Sequence, residues 1–300
     1  MFKKVLTKSG LVVYDTENLI IVRYNKKETN EVILKDHLEI DYNILDDFCE
    51  VVHLELTDRC NLKCKYCYKE KSKKMELKTE DWYKIIDSLV EYGIFQVTFG
   101  GGEPLMRKDM PDLLDYCVNK NLNVAMTTNG ILLASFSKST MTKFKQINVS
   151  YHGDMLILVN ALKYLEDIKV KSGINFVLRR EYVKHIEAIM ALSKTFDAEV
   201  LFLTYKPVIK DYDNVVDGNI VYSIAKYYAN KNYKVAVDGM TCFGKTDEYC
   251  LQKRRFADIY SNGDVYPCSF VRKSMGNILQ KSFSEIWKMR GEQIKCPFIK

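Results

Sequence analysis

Between residues 51 and 210, short apolar and β-branched runs alternate with longer stretches whose apolar residues recur every three or four positions, a pattern that predicts parallel βαβ units. Strands are expected at Val51–Leu56, Phe95–Phe99, Asn123–Thr127, Gln146–Ser150, Ile174–Leu178 and Glu199–Leu203. The first helix between them should start at Thr79 as N-cap, with Glu80 and Asp81 in its first turn and Ile85, Ile86, Leu89 and Val90 on one face. Six βα repeats result, two short of a closed eight-unit barrel. Residues 1–50 read as a β-rich extension with short runs at Leu11–Tyr14, Leu19–Val22 and Glu31–Leu34. Residues 211–234 form a helical connector, with its helix at about 215–231, and 235–300 a small unit rich in Cys, Gly and Tyr. In that unit Phe256–Tyr260 and Asp264–Tyr266 flank Asn262-Gly263, the dipeptide of a type I′ hairpin turn, and Ser282-x-x-Glu285 resembles a capping box opening a last helix.

A chain of 300 residues that is 47% hydrophobic can bury a proper core. No apolar run reaches 18 residues and the N-terminus lacks a signal-like apolar stretch, so a cytoplasmic protein with no membrane partner is expected. The net charge of +6 is spread along the chain, which argues against nucleic acid as a partner. Cysteine changes the picture. There are nine, an odd number, and seven fall in two clusters, which suits metal ligation better than disulfides.

Cys60, Cys64 and Cys67 form a C-x3-C-x2-C loop directly after the first barrel strand. Three thiolates on a cubane of four irons leave one iron open to a small molecule, whereas structural zinc, the alternative, favours four ligands in paired C-x2-C spacing. The loop, with Tyr66 before its third cysteine and Thr57, Asp58, Asn61 and Tyr68 around it, resembles the radical S-adenosylmethionine superfamily. The resemblance extends to Gly100-Gly101-Gly102-Glu103-Pro104, similar to that family's GGEP motif, to Thr128-Asn129-Gly130, and to Ser150-Tyr151-His152-Gly153, similar to an S-x-D-G segment with histidine where aspartate is usual.

The resemblance implies an α/β fold, a partial (β/α)6 barrel, with S-adenosylmethionine and a 4Fe-4S cluster on Cys60, Cys64 and Cys67 at the C-terminal ends of the strands. Tyr66, Gly101, Gly102, Glu103, Ser150 and Arg179 are then the expected cofactor-binding residues, Glu103 through the cofactor's ammonium group and Arg179 through its carboxylate. His152 reads as a surface or substrate-facing residue. Reductive cleavage would yield a 5′-deoxyadenosyl radical that abstracts hydrogen.

Cys242, Cys250, Cys268 and Cys296 make the second set. The run from Cys250 through Gly263 to Cys268 resembles the C-x9–15-G-x4-C pattern of SPASM and twitch domains, and four cysteines suffice for one auxiliary cluster, 4Fe-4S or 2Fe-2S, with zinc as the alternative. Cys117 reads as a buried structural thiol on a helix. An auxiliary cluster points to net oxidation. The expected substrate is a peptide or protein side chain, or otherwise a sugar or cyclitol, and a flavodoxin or ferredoxin is the expected electron donor.

Overall fold

The computed structural model describes residues 2–29, 48–69, 75–207, 210–238 and 255–290. Strands β4 (Val51–Thr57), β5 (Gln96–Gly101), β6 (Asn123–Thr128), β7 (Gln146–Ser150), β8 (Ser172–Leu178), β9 (Glu199–Thr204) and β10 (Val235–Val237) run parallel in sequence order. The intervening helices are α1 (Thr79–Tyr92), α2 (Met110–Asn119), α3 (Lys138–Met141), α4 (Met155–Asp167), α5 (Ile186–Thr195) and α6 (Gly218–Ala229). On β4, Val52, Leu54 and Leu56 are fully buried in one core with Trp82, Ile85, Ile86 and Leu89 of α1. Each such aliphatic side chain contributes about 1.5–3 kcal/mol on burial. Because strand side chains alternate, His53, Glu55 and Thr57 point away from the helices, to the face that carries the site.

The α/β barrel architecture expected from the sequence is the one observed, with one strand more. Val235–Val237, read as the start of the auxiliary unit, pairs in parallel with β9 and extends the barrel sheet. A more consequential difference lies at the other edge. Strand β11 (Phe256–Ile259) pairs in parallel with β4, Asp258 opposite His53, and β12 (Asp264–Tyr266) and β13 (Gly276–Asn277) follow antiparallel, so the auxiliary unit continues the barrel's own sheet. The turn between β11 and β12 is not type I′. Only Gly263 has positive φ, and its N–H donates to Tyr260 O at 2.8 Å, the arrangement of a type I turn closed by a left-handed glycine. Helix α7 (Phe283–Lys288) has the expected cap: Ser282 Oγ accepts from the Glu285 N–H, and Glu285 Oε2 accepts from the Ser282 N–H. Thr79, expected as a cap, is instead the first helical residue and donates its hydroxyl to Asp109.

The N-terminal extension is a separate antiparallel sheet of β1 (Phe2–Thr7), β2 (Gly10–Asp15) and β3 (Ile20–Asn25). Strand β1 was not anticipated, and the run Glu31–Leu34 lies outside the described residues. The sheet is bolted to the barrel by Tyr14, whose ring stacks on Phe95 at 5.1 Å and whose hydroxyl bonds Gln96 and Asn123, and by an Arg23–Glu50 ion pair. Burial pushes the Tyr14 hydroxyl up to about 12. Among the described residues no helix is long and apolar enough to cross a membrane.

Candidate functional site

The loop after β4 is shaped by its own backbone and by one carboxylate. Glu76 Oε1 accepts the Thr57 hydroxyl and the Asp58 N–H, both at 2.8 Å, which turns the chain out of the strand. Cys60 and Cys67 are exposed and Cys64 is half-buried. Burial and the neighbouring Cys67 and Cys60 push the Cys64 thiol up to about 11, so the three sulfurs feel one another. They do not crowd together: among the described residues, the set of three ligand atoms within 4.8 Å of one another is His53, Glu55 and Asp258. Three soft thiols on one partly exposed loop, spaced wider than a single ion needs, fit corners of an iron-sulfur cube.

The glycine turn after β5 is locked to this loop. Gly102 N–H donates to Thr57 O and Glu103 N–H to Arg59 O, each at 2.8 Å. A Cβ on Gly101 would lie 2.6 Å from Thr57 O, and one on Gly102 2.1 Å from Arg59 O. The close approach that these glycines permit is therefore to the cysteine loop itself. Glu103 is 0% exposed, and its carboxylate accepts from Thr128 Oγ1, Asn129 N–H and Leu105 N–H. Burial raises its pKa against those three bonds. Its observed work is to clamp the β5 turn to the β6 turn. Asn129 completes the tie, donating its side-chain amide to Asn61 of the loop at 2.7 Å.

Across the barrel mouth, Arg179 follows β8 and lies over Tyr66 of the loop, guanidinium to ring centroid 4.4 Å, with Tyr205 and Tyr182 on its other sides. Asp211, at 2.7 Å, and Glu181 neutralise it. Its Nε is buried without a partner, a spare donor at the place expected for a cofactor carboxylate. Ser150 is half-buried at the end of β7, in register with Asn175 of β8. Asn175 is 8% exposed and its side-chain oxygen has no partner, a second spare group facing the site.

Two features were missed in the sequence. His152 is brought to the cysteine loop, Nδ1 2.9 Å from the Tyr66 hydroxyl and 3.6 Å from Cys64 Sγ, and burial lowers its pKa. The other is a buried charge network. Lys69 Nζ lies 2.7 Å from Glu55 Oε2 and 3.2 Å from Asp58, and His53 Nδ1 lies 3.2 Å from Asp258 Oδ1. The Lys69 ammonium supplies the positive charge that Glu55 would otherwise ask of a metal ion. Its signal was present: His53 and Glu55 are polar residues at alternate positions of an otherwise apolar strand. In the second cysteine set, Cys268 is buried, while Cys242, Cys250 and Cys296 lie outside the described residues. Cys49 and Cys117 are buried in the barrel core.

Residues 54–169 match the family model described as the radical SAM superfamily, and residues 250–298 match the SPASM model of an iron-sulfur cluster-binding domain. The chain contains a radical SAM domain followed by a SPASM iron-sulfur domain. These two domains use S-adenosylmethionine and iron-sulfur clusters as cofactors. The chain is 32% identical over 163 residues to the Fe-coproporphyrin III synthase of Methanosarcina barkeri, covering 47% of this chain and 40% of that protein. It is 25% identical over 269 residues to the PqqA peptide cyclase of Granulibacter bethesdensis, covering 78% of this chain and 72% of the relative. Its fold resembles SuiB of Streptococcus suis, solved bound to precursor peptide SuiA, with a TM-score of 0.76 and 17% identity over 98% of this chain and 88% of SuiB.

Proposed function

We propose that this radical SAM enzyme performs a net oxidative modification of a peptide or protein side chain. The observation that carries the reading is the N-terminal sheet. Fixed to the barrel through Tyr14, it leaves the outer edge of β3 unpaired among the described residues, with Ile20 and Val22 exposed on it. An extended peptide can pair with such an edge and be held beside the barrel. The peptide cyclase match over 269 residues and the likeness to SuiB across nearly the whole chain support the same reading.

Cys60, Cys64 and Cys67 would hold the first cluster, and Cys268 with Cys242, Cys250 and Cys296 an auxiliary one. When bound, these clusters and S-adenosylmethionine supply hydrogen abstraction from carbon and an acceptor for the electron left behind. The chain's own part is to hold the cysteine loop rigid through Glu76, Gly102, Glu103 and Asn129, and to offer unpartnered polar groups on Arg179 and Asn175. Ser150 and Tyr66 complete the wall. A flavodoxin or ferredoxin would deliver the electrons.

A second reading, a small-molecule substrate such as a sugar or cyclitol, draws on the 32% match to a synthase whose name denotes a non-peptide product, although that match covers 40% of the relative. Anaerobic incubation with S-adenosylmethionine, a reductant and a peptide encoded nearby separates the two. A peptide lighter by about two mass units, with 5′-deoxyadenosine formed alongside, is expected. Cofactor cleavage that changes no peptide but oxidises a small molecule would overturn the peptide reading.

A further inference from the structure

We propose that His152 is a positioning residue that donates a hydrogen bond from Nδ1 to the Cys64 sulfur and thereby sets the reduction potential of the cluster on the three-cysteine loop. The inference rests on the assignment of Cys64 as a ligand. The two residues come from different strand ends, 88 positions apart, and meet at 3.6 Å, inside the range of a hydrogen bond to sulfur. The Tyr66 hydroxyl lies 2.9 Å from the same nitrogen, and because its proton can rotate away, its oxygen can accept from an Nδ1–H; the proposed tautomer is therefore the one with hydrogen on Nδ1. Nδ1 then carries hydrogen and faces two acceptors, the Tyr66 oxygen and the Cys64 sulfur.

The imidazole is held in place. Its ring lies 27° from that of Tyr66, and Arg179 packs on Tyr66 at 4.4 Å. The next residue, Gly153, has φ +95°, and a Cβ there would lie 3.0 Å from the Tyr182 hydroxyl, so glycine lets the chain after His152 pass close to that ring. Aspartate, usual at this place in the segment that the sequence resembles, is ionised and offers no proton to a sulfur. Reducing a cluster adds negative charge that its sulfurs share, and a donor aimed at one sulfur stabilises the reduced form more than the oxidised one.

The test compares His152→Phe, which removes the donor, with His152→Gln, which keeps an N–H, both in a Cys250→Ala/Cys268→Ala background so that one cluster is titrated. After anaerobic reconstitution, iron is counted and the midpoint potential is followed by electron paramagnetic resonance without S-adenosylmethionine. The phenylalanine variant should shift the reduction equilibrium about tenfold toward the oxidised cluster, a midpoint about 59 mV more negative, and glutamine should recover part of it. A midpoint equal to that of the parent in the phenylalanine variant overturns the proposal, as do equal shifts in both variants. If phenylalanine loses the cluster outright, the glutamine variant decides: a midpoint between parent and a larger loss in His152→Ala supports the bond, and no difference from His152→Ala overturns it. Cys64→Ala is the separate control, since a cluster retained there would refute the ligand assignment itself.

Discussion

Replacing Gly102 with alanine tests whether the glycine turn exists to seat the cysteine loop. The added Cβ would lie 2.1 Å from Arg59 O and 2.7 Å from its carbonyl carbon, both backbone atoms that cannot swing aside. Relieving that overlap costs about 1–3 kcal/mol, and the two backbone bonds at risk, Gly102 to Thr57 and Glu103 to Arg59, are each worth about 1 kcal/mol. Gly102→Ala should therefore lose about 3–5 kcal/mol, a large share of the roughly 5–15 kcal/mol that holds a domain together. Gly93→Ala is the control. Its φ of +87° is a glycine conformation, unlike that of Gly102, but a Cβ there meets nothing within 4 Å, so only backbone strain of about 1–2 kcal/mol applies. Anaerobic urea unfolding of both metal-free variants measures the difference, and iron content after reconstitution measures its consequence. If Gly102→Ala is no less stable than Gly93→Ala and takes up its full iron, the turn does not seat the loop and the reasoning fails.

Cys60→Ala, Cys64→Ala and Cys67→Ala should each abolish 5′-deoxyadenosine formation, and full product in any one of them would remove that cysteine from the ligand set. Native protein should hold about eight irons if both clusters are 4Fe-4S and about four once Cys250 and Cys268 are replaced; bound zinc in place of that second set would refute the auxiliary cluster. The His53 network predicts a pH dependence. Burial lowers the His53 pKa, but the bond and charge of Asp258 and the charge of Glu55 outweigh it and raise the value above 6.5. A raised histidine stabilises the fold fully below 6.5 and loses that contribution as pH climbs through the folded value. Asp258→Asn should flatten this part of the stability profile, and an unchanged profile would show that the pair does not titrate.

The barrel was legible because its strands are short β-branched runs at steady spacing, and its mouth because the cysteine loop and glycine turn are contiguous motifs. What escaped depends on pairing between distant segments. Nothing local in Phe256–Ile259 says that it lies beside β4, and nothing local in Val235–Val237 says that it belongs with β9. Gly102 was legible as a close-approach residue, but not what it approaches, since Arg59 O arrives from another strand end. His152 read as a departure from a pattern, and only the folded chain shows it against Cys64. The role of Glu103 was read from its charge, whereas its three donors were hidden in Thr128, Asn129 and Leu105.

The adjacency of β4 and β11 also bears on how the protein is made. Their paired side chains His53 and Asp258 are separated by 205 positions, a contact of very high sequence separation that closes late. At roughly 5–20 residues per second, the ribosome needs on the order of 10–40 s between delivering the two strands. Throughout that interval β4 presents an open edge next to the three cysteine thiols of the nascent chain. Slow closure of this seam makes the newborn protein most exposed to aggregation and oxidation just before its last strands emerge, and expression at lower temperature, with a chaperone and without oxygen, should raise the yield of soluble chain.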